Sequence, residues 1–229
     1  MRAGAIIVAA GSGERLGAGM PKAFVRVAGL PLVAWSMRAL DDAPSVGPVV
    51  IVAPPGAERE MAAAIGSGTR AHAIVPGGSS RQRSVAAGIA ALPDDVDAIA
   101  VHDAARPLIT PLMVERLIRG LSSADGVIAA APVPDTLKRA TPDGTVDATV
   151  DRAGLWGAQT PQVFRAPAIR AVFAAADDAE LDSATDCAGM AERRGMTIAL
   201  IDLEAPNLKV TTRADLRLAE VLLGSGRIT

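Results

Sequence analysis

The first strand-like run of the chain opens into Ala9-Ala10-Gly11-Ser12-Gly13-Glu14-Arg15-Leu16-Gly17, followed closely by Met20-Pro21-Lys22. Glycines at 11, 13 and 17 permit tight turns and let backbone N–H groups approach an anion closely. Arg15 and Lys22 add two cations beside those donors. This combination suits a triphosphate, which needs donors for its oxygens and positive charge that persists as its own charge redistributes. A Walker loop would end in Gly-Lys-Ser/Thr, which is missing here. A dinucleotide fingerprint would need Gly or Ala where Leu16 stands, and an acid after the second strand, where Ala53-Pro54-Pro55 stands instead. An ordinary glycine-rich strand-to-helix turn stays open as the bland alternative.

Two further runs carry groups of chemical interest. Val101-His102-Asp103-Ala104-Ala105-Arg106-Pro107 closes a buried strand, and places the Asp103 carboxylate where it can orient a hydroxyl or cap the following turn. His102 has no second histidine and no nucleophile beside it, so a structural role is expected. Gly77-Gly78-Ser79-Ser80-Arg81-Gln82-Arg83-Ser84-Val85 offers backbone and hydroxyl groups before an alanine-rich helix, suited to a base or ribose, or simply to a loop with a helix cap. Thr136, Lys138, Arg152 and Lys209 are scattered, and by spacing alone read as solvated surface residues.

These runs need elements to hold them. Short, continuously apolar segments at Ala5–Ala10, Val49–Ala53, Ala73–Val75, Ala98–His102, Gly126–Ala131 and Thr197–Leu203 read as strands buried on both faces. Helical patterns lie between them, near 31–41, 57–65, 80–92, 111–122, 166–176 and 213–223. Thr110-Pro111 predicts a capped helix start, and Thr211 or Thr212 a cap for the last helix. The alternation predicts an α/β fold: a doubly wound, mostly parallel sheet, Rossmann-like, with ligands bound beyond the carboxyl ends of its strands. The stretch 133–159 is rich in Asp, Thr, Pro and Gly and reads as an inserted arm within one domain spanning 1–229.

Composition narrows the class. Half of the 229 residues are apolar, yet there are only two Trp, three Phe and no Tyr, so Ala, Val, Leu and Ile must fill the core. A net charge of −2 gives no global attraction to nucleic acid or acidic membranes, so any anion site must be built locally. The lone Cys187 excludes an intramolecular disulfide and a cysteine-rich metal site. No apolar run approaches the ~20 residues of a membrane span. A cytoplasmic protein without a targeting segment is expected.

The ordered set AAGSGERLG with PK, GGSSRQRSV, VHDAARP, PVPDTLKR, VDRAGLW, QTPQVF, TD and NLKVTT resembles the 2-C-methyl-D-erythritol 4-phosphate cytidylyltransferase family over nearly the whole chain. The chain departs from the usual pattern at Val8, Ala23, Ser79 and Cys187. The resemblance implies a nucleotidyltransferase version of the doubly wound fold, a homodimer with arm exchange, and Mg2+ held mainly through the phosphates of CTP, with no protein metal site assigned. It implies that Arg15 and Lys22 hold those phosphates, with Gly13 in the same loop. It also implies that Ala9, Ala10, Gly11, Gly78 and Ser84 line cytosine and ribose, and that Asp103 faces the reacting groups. Arg152 and Lys209, assisted by Thr136, Thr160 and Thr185, would then position the methylerythritol phosphate. Rival readings are a ribitol 5-phosphate cytidylyltransferase, a sugar-phosphate nucleotidyltransferase using UTP or GTP, and a regulator that binds nucleotide without catalysis.

Overall fold

A computed structural model describes residues 1–11, 13, 19–66 and 68–224. In chain order the strands are β1 (Ala3–Val8), β2 (Arg26–Val27), β3 (Leu30–Pro31), β4 (Val46–Ala53), β5 (Ala71–Pro76), β6 (Ala98–Asp103), β7 (Gly126–Pro132), β8 (Leu137–Ala140), β9 (Val146–Val150), β10 (Trp156–Arg165) and β11 (Ile198–Asp202). The helices are α1 (Leu32–Asp41), α2 (Glu58–Ile65), α3 (Arg81–Ala91), α4 (Pro111–Gly120), α5 (Ala166–Ala174), α6 (Asp178–Ser183), α7 (Cys187–Glu192) and α8 (Arg213–Gly224).

Seven strands form one sheet in the order β11-β7-β10-β6-β1-β4-β5. All neighbouring pairs are parallel except those of β10, which runs antiparallel to both β6 and β7. Alternation along the strands sends side chains to two separate cores. Ala5, Ile7, Val49 and Ile51 join Val33, Met37 and Leu40 of α1 and Leu117 of α4 on one face. Ile6, Val50 and Val52 join Val85 and Ile89 of α3 and Ile169 of α5 on the other. A doubly wound α/β sheet results, buried on both sides as the continuous apolar runs require. A small residue lets α3 pack closely on the sheet: a Cβ at Gly88 would stand 2.5 Å from Ile6 Cγ2.

The expected helix starts are realised. Thr110 Oγ1 accepts the Met113 N–H at the head of α4, and Thr212 Oγ1 accepts from Asp215 at the head of α8. Three features differ from expectation. β1 stops at Val8, so Ala9 and Ala10 leave the sheet, although Ala9 N still donates to Val52 O. Only Leu137–Val150 folds as a separate exposed ribbon, β8 against β9, whereas Trp156–Gln159 opens β10 of the main sheet. α6 and α7 are six-residue pieces, too short to leave a periodic apolar signal.

The strand order reverses around β1, which is flanked by β4 and β6. In open α/β sheets such a switch point leaves a crevice at the carboxyl ends of the strands.

Candidate active site

A cleft of about 730 Å³ lies at that switch point. The loop after β1 contributes Ala9, Ala10, Gly11 and Gly13, and the turn after it contributes Lys22. From the other rim come Gly78 and Ser84 at the head of α3, then Asp103 at the end of β6 and Lys209 from the segment before α8. Residues spread along almost the whole chain thus meet in one concavity. Arg81 lines it as well and was not singled out in the sequence. Among the described lining residues three are cations, Lys22, Arg81 and Lys209, and one is a carboxylate, Asp103. A chain of net charge −2 has therefore concentrated cations where an anion would sit.

Local backbone chemistry builds each rim. Lys22 opens a single 3-10 turn, Lys22–Phe24, placed by Pro21. Gly13 has φ +74°, the left-handed region that favours glycine. At the head of α3, Ser80 caps the helix by accepting from Arg83 N, and its hydroxyl donates to Leu181 O of α6 at 2.7 Å. Ser84 Oγ accepts from Gly78 N at 3.1 Å and donates to Ser80 O at 3.0 Å. The Gly77-Gly78 backbone is thereby folded onto the first turn of α3. A Cβ at Gly77 would stand 2.4 Å from Ala10 Cβ, so the two rims meet closely there.

Asp103 sits at the junction. Its Oδ1 accepts from Arg81 Nη2 at 3.0 Å and Arg81 Nε at 3.1 Å, while Oδ2 accepts from Lys209 Nζ at 2.7 Å. Burial alone would raise this carboxyl, but the Arg81 and Lys209 charges outweigh it and hold Asp103 well below the usual carboxylate range. It is an anion at every pH of functional interest. Lys209 reaches it because its strap is tied down: Val210 N donates to Ala105 O, and Arg106 Nη1 donates to Asn207 O. Asn207 Nδ2 in turn donates to Thr160 O and to Gln159 Oε1 of β10.

His102 is fully buried behind Asp103, and burial pushes its pKa down to about 4. Both ring nitrogens are engaged within the protein, Nε2 with Arg106 O at 3.2 Å and Nδ1 with Thr160 Oγ1 at 3.3 Å. Thr160 Oγ1 accepts the Asp103 N–H at 3.0 Å, leaving its proton for Nδ1. The chain Asp103–Thr160–His102–Arg106 is thus satisfied by a neutral imidazole protonated at Nε2. Cys187 is buried against Arg81, its Sγ 3.7 Å from Nη1, and burial pushes its thiol up to about 11.

The remaining predicted residues lie elsewhere. Thr160 is in the network behind Asp103 rather than on the cleft wall. Thr185 borders a second, shallower depression with Glu180 and Arg193. Thr136 precedes the β8–β9 ribbon and Arg152 follows it; the Arg152 guanidinium donates to Pro134 O, and neither residue lines the cleft of its own chain. Arg15 lies outside the described residues. No group of three or more His, Cys, Asp or Glu side chains able to hold a metal ion occurs among the described residues, and no helix among them is long and apolar enough to cross a membrane.

Comparison with known proteins agrees with this geometry. The family model for 2-C-methyl-D-erythritol 4-phosphate cytidylyltransferase (IspD) matches residues 3–225. A protein of that name from Synechococcus sp. is 37% identical over 226 residues, covering 98% of this chain and 97% of its relative. Another from Symbiobacterium thermophilum is 41% identical over 219 residues, covering 95% and 91%. The crystal structure of the Thermus thermophilus protein of the same name superposes with a TM-score of 0.79 at 31% identity, over 95% of this chain and 97% of that one. The chain belongs to the 2-C-methyl-D-erythritol 4-phosphate cytidylyltransferase family.

Proposed function

We propose that the chain transfers the cytidylyl group of CTP to 2-C-methyl-D-erythritol 4-phosphate, giving 4-diphosphocytidyl-2-C-methyl-D-erythritol and pyrophosphate, in cytoplasmic synthesis of isoprenoid precursors. The observation that carries this reading is the meeting of Gly78 and Ser84, Lys22, Asp103 and Lys209 in one cleft of a chain belonging to that family. A phosphate oxygen of the acceptor attacks the α-phosphorus of CTP in line. A new P–O bond forms as the bond to the β-phosphate oxygen breaks, and pyrophosphate departs. Phosphoryl and nucleotidyl transfers of this kind depend on positioning and charge stabilisation more than on a protein base. A phosphate dianion is already a competent nucleophile, which leaves His102 free for its internal hydrogen bonds.

In this reading the Ala9–Gly11 loop, Gly78 and Ser84 enclose cytosine and ribose. A close backbone wall admits a pyrimidine more readily than a purine, and it separates cytosine from uracil by donor and acceptor pattern, because buried polar groups left unpaired are costly. Lys22, with Gly13 packed against it, stabilises the charge that passes to pyrophosphate, a role that Arg15 shares. Mg2+ would neutralise part of the triphosphate charge. The donor set fits an ion carried by phosphate oxygens, since the cleft's single described carboxylate already has a cation on each oxygen. Lys209 takes the acceptor phosphate; Thr160 supports it from behind Asp103, whose N–H it accepts, and Thr185 borders the second depression.

Arg152 and Thr136 complete the acceptor site from a second copy of the chain. Their absence from the lining of their own cleft supports this, as does the exposed apolar surface of Val146, Leu155 and Trp156 on and beside the ribbon. Pyrophosphate release measured with CTP, UTP, ATP and GTP, each with methylerythritol phosphate and Mg2+, tests the reading. Turnover confined largely to CTP, lost on chelation and restored by Mg2+, is the expected result. Equal turnover of UTP would reject the proposed base site.

A further inference from the structure

The two cations on Asp103 are not equivalent. Arg81 places two N–H groups on Oδ1 and its side chain is 22% exposed, whereas Lys209 places one ammonium on Oδ2 and is 41% exposed. Arg81 is also held from three sides. It stands at the first position of α3, whose cap Ser80 is bonded to Leu181 O of α6. Arg83 in the same turn pairs with Asp178 and Asp182 of α6. The far side of its guanidinium rests on the buried Cys187 sulfur. Burial works against the Arg81 charge, and the facing Asp103 carboxylate more than restores it. The Lys209 ammonium, by contrast, ends a flexible four-carbon stem that can turn from one anion to another.

We propose that Arg81 is the standing counter-ion of Asp103, a positioning residue whose service is to release Lys209 for the acceptor phosphate. The reasoning is electrostatic. Asp103 is nearly buried, and a buried carboxylate without a cation is strongly disfavoured. If Lys209 were its only partner, each acceptor phosphate would have to take that ammonium away and leave Asp103 unpaired. With Arg81 fixed on Oδ1, Lys209 can move to the phosphate while the carboxylate keeps a charged partner that donates two N–H groups to one of its oxygens. His102 and Arg106, the other groups beside Asp103, cannot substitute. The first is neutral and bonded inward, and the second directs its Nη1 to Asn207 O rather than to the carboxylate.

This rests on the reading of Lys209 as the acceptor's ligand, and the test separates the two. Arg81→Gln, Arg81→Lys and Asp103→Asn would be compared with the unaltered protein in two measurements. The first is the rate of Lys209 acetylation at limiting acetic anhydride, followed by peptide mass spectrometry, which needs no turnover. Arg81→Gln should slow it by roughly threefold or more, because Asp103 then draws on Lys209 alone. Arg81→Lys should stay near the native rate, and Asp103→Asn should exceed it.

The second is steady-state kinetics. Arg81→Gln should raise KM for methylerythritol phosphate by about tenfold while KM for CTP changes by less than about twofold. In the Asp103→Asn background the same change should add little, since the two residues act as a unit. Where Arg81→Gln does not fold, Arg81→Met, which keeps the length of the unbranched stem, replaces it. An unchanged Lys209 labelling rate overturns the proposal whatever the kinetics. So does slowed labelling in an enzyme whose acceptor KM has not moved. Slowed labelling in a protein that never turns over methylerythritol phosphate would leave the counter-ion role standing and reject the functional reading instead.

Discussion

Gly13 lies directly against Lys22: a Cβ built on Gly13 would stand 2.7 Å from Lys22 Cβ and 3.0 Å from its backbone nitrogen. The phosphate-side loop and the turn that carries the cation are therefore packed backbone to backbone, with no room for a side chain between them. Together with φ +74° at Gly13, this makes a glycine the device that sets where Lys22 begins.

Gly13→Ala should therefore damage catalysis by displacing Lys22. We expect kcat to fall by about 10–100-fold, the scale of a misplaced catalytic group. The melting temperature should fall by only a few degrees, as for one strained left-handed residue. Stopped-flow pyrophosphate release and a thermal melt check both parts. Native kcat in Gly13→Ala would separate the loop's geometry from Lys22.

Lys22→Ala should cost on the order of 10²–10³ in kcat, the range for removing one preorganised charge stabiliser. Arg15, which lies outside the described residues, should matter comparably when changed to Ala. Arg15→Lys should rescue poorly because a point charge does not replace a planar fork. A loss appearing only in KM for CTP would show uniform binding rather than transition-state stabilisation.

His102→Asn should keep most activity, and its stability should depend less on mild acid. The folded-state pKa of His102 is lowered to about 4 from 6.5. Between those values the unfolded chain binds a proton that the folded one refuses, so stability contributed by the neutral ring is complete above pH 6.5 and declines as pH falls toward 4. Asp103, whose carboxyl is held low, loses its contribution only below about pH 4, outside that window. The drop in melting temperature between about pH 7 and about pH 5 should shrink in His102→Asn. A collapse of kcat in the variant would contradict base-free attack.

Mixing Lys22→Ala with Arg152→Ala, under conditions that exchange subunits, should restore activity towards about a quarter of native. Half of a random equal mixture is mixed dimers, and each of those keeps one intact site of two when Arg152 acts across the interface. Were Arg152 to serve its own cleft, every site would carry a lesion. A mixture proven to exchange subunits yet still inactive would contradict the shared site.

Much of this was legible in the residue order, for reasons that can be named. Ile6, Val50 and Val101 announce strands covered on both faces because a parallel sheet needs no polar side. Thr110 with Pro111, and the glycines at 11, 13, 77 and 78, declare helix starts and close backbone approach locally. What the order hides is tertiary. β10 contains Gly157, Gln159, Thr160 and Pro161, and its ladder with β7 shifts register between Ala158 and Gln162, so it has neither alternation nor a clean apolar run. Arg81 reads as one cation in a polar loop until Asp103, 22 residues on, is seen to accept from it. Lys209 meets the same carboxylate across 106 residues, a pairing no local period can announce.

The most direct test of the central claim is a competition followed by phosphorus NMR. The enzyme is given CTP, Mg2+ and equal concentrations of methylerythritol 4-phosphate and ribitol 5-phosphate, and the two diphosphate products are integrated over time. The account predicts that 4-diphosphocytidyl-2-C-methyl-D-erythritol forms together with one equivalent of pyrophosphate, with CDP-ribitol a minor product at most. Dominant CDP-ribitol, or CTP left unconsumed in the presence of both acceptors, would contradict it.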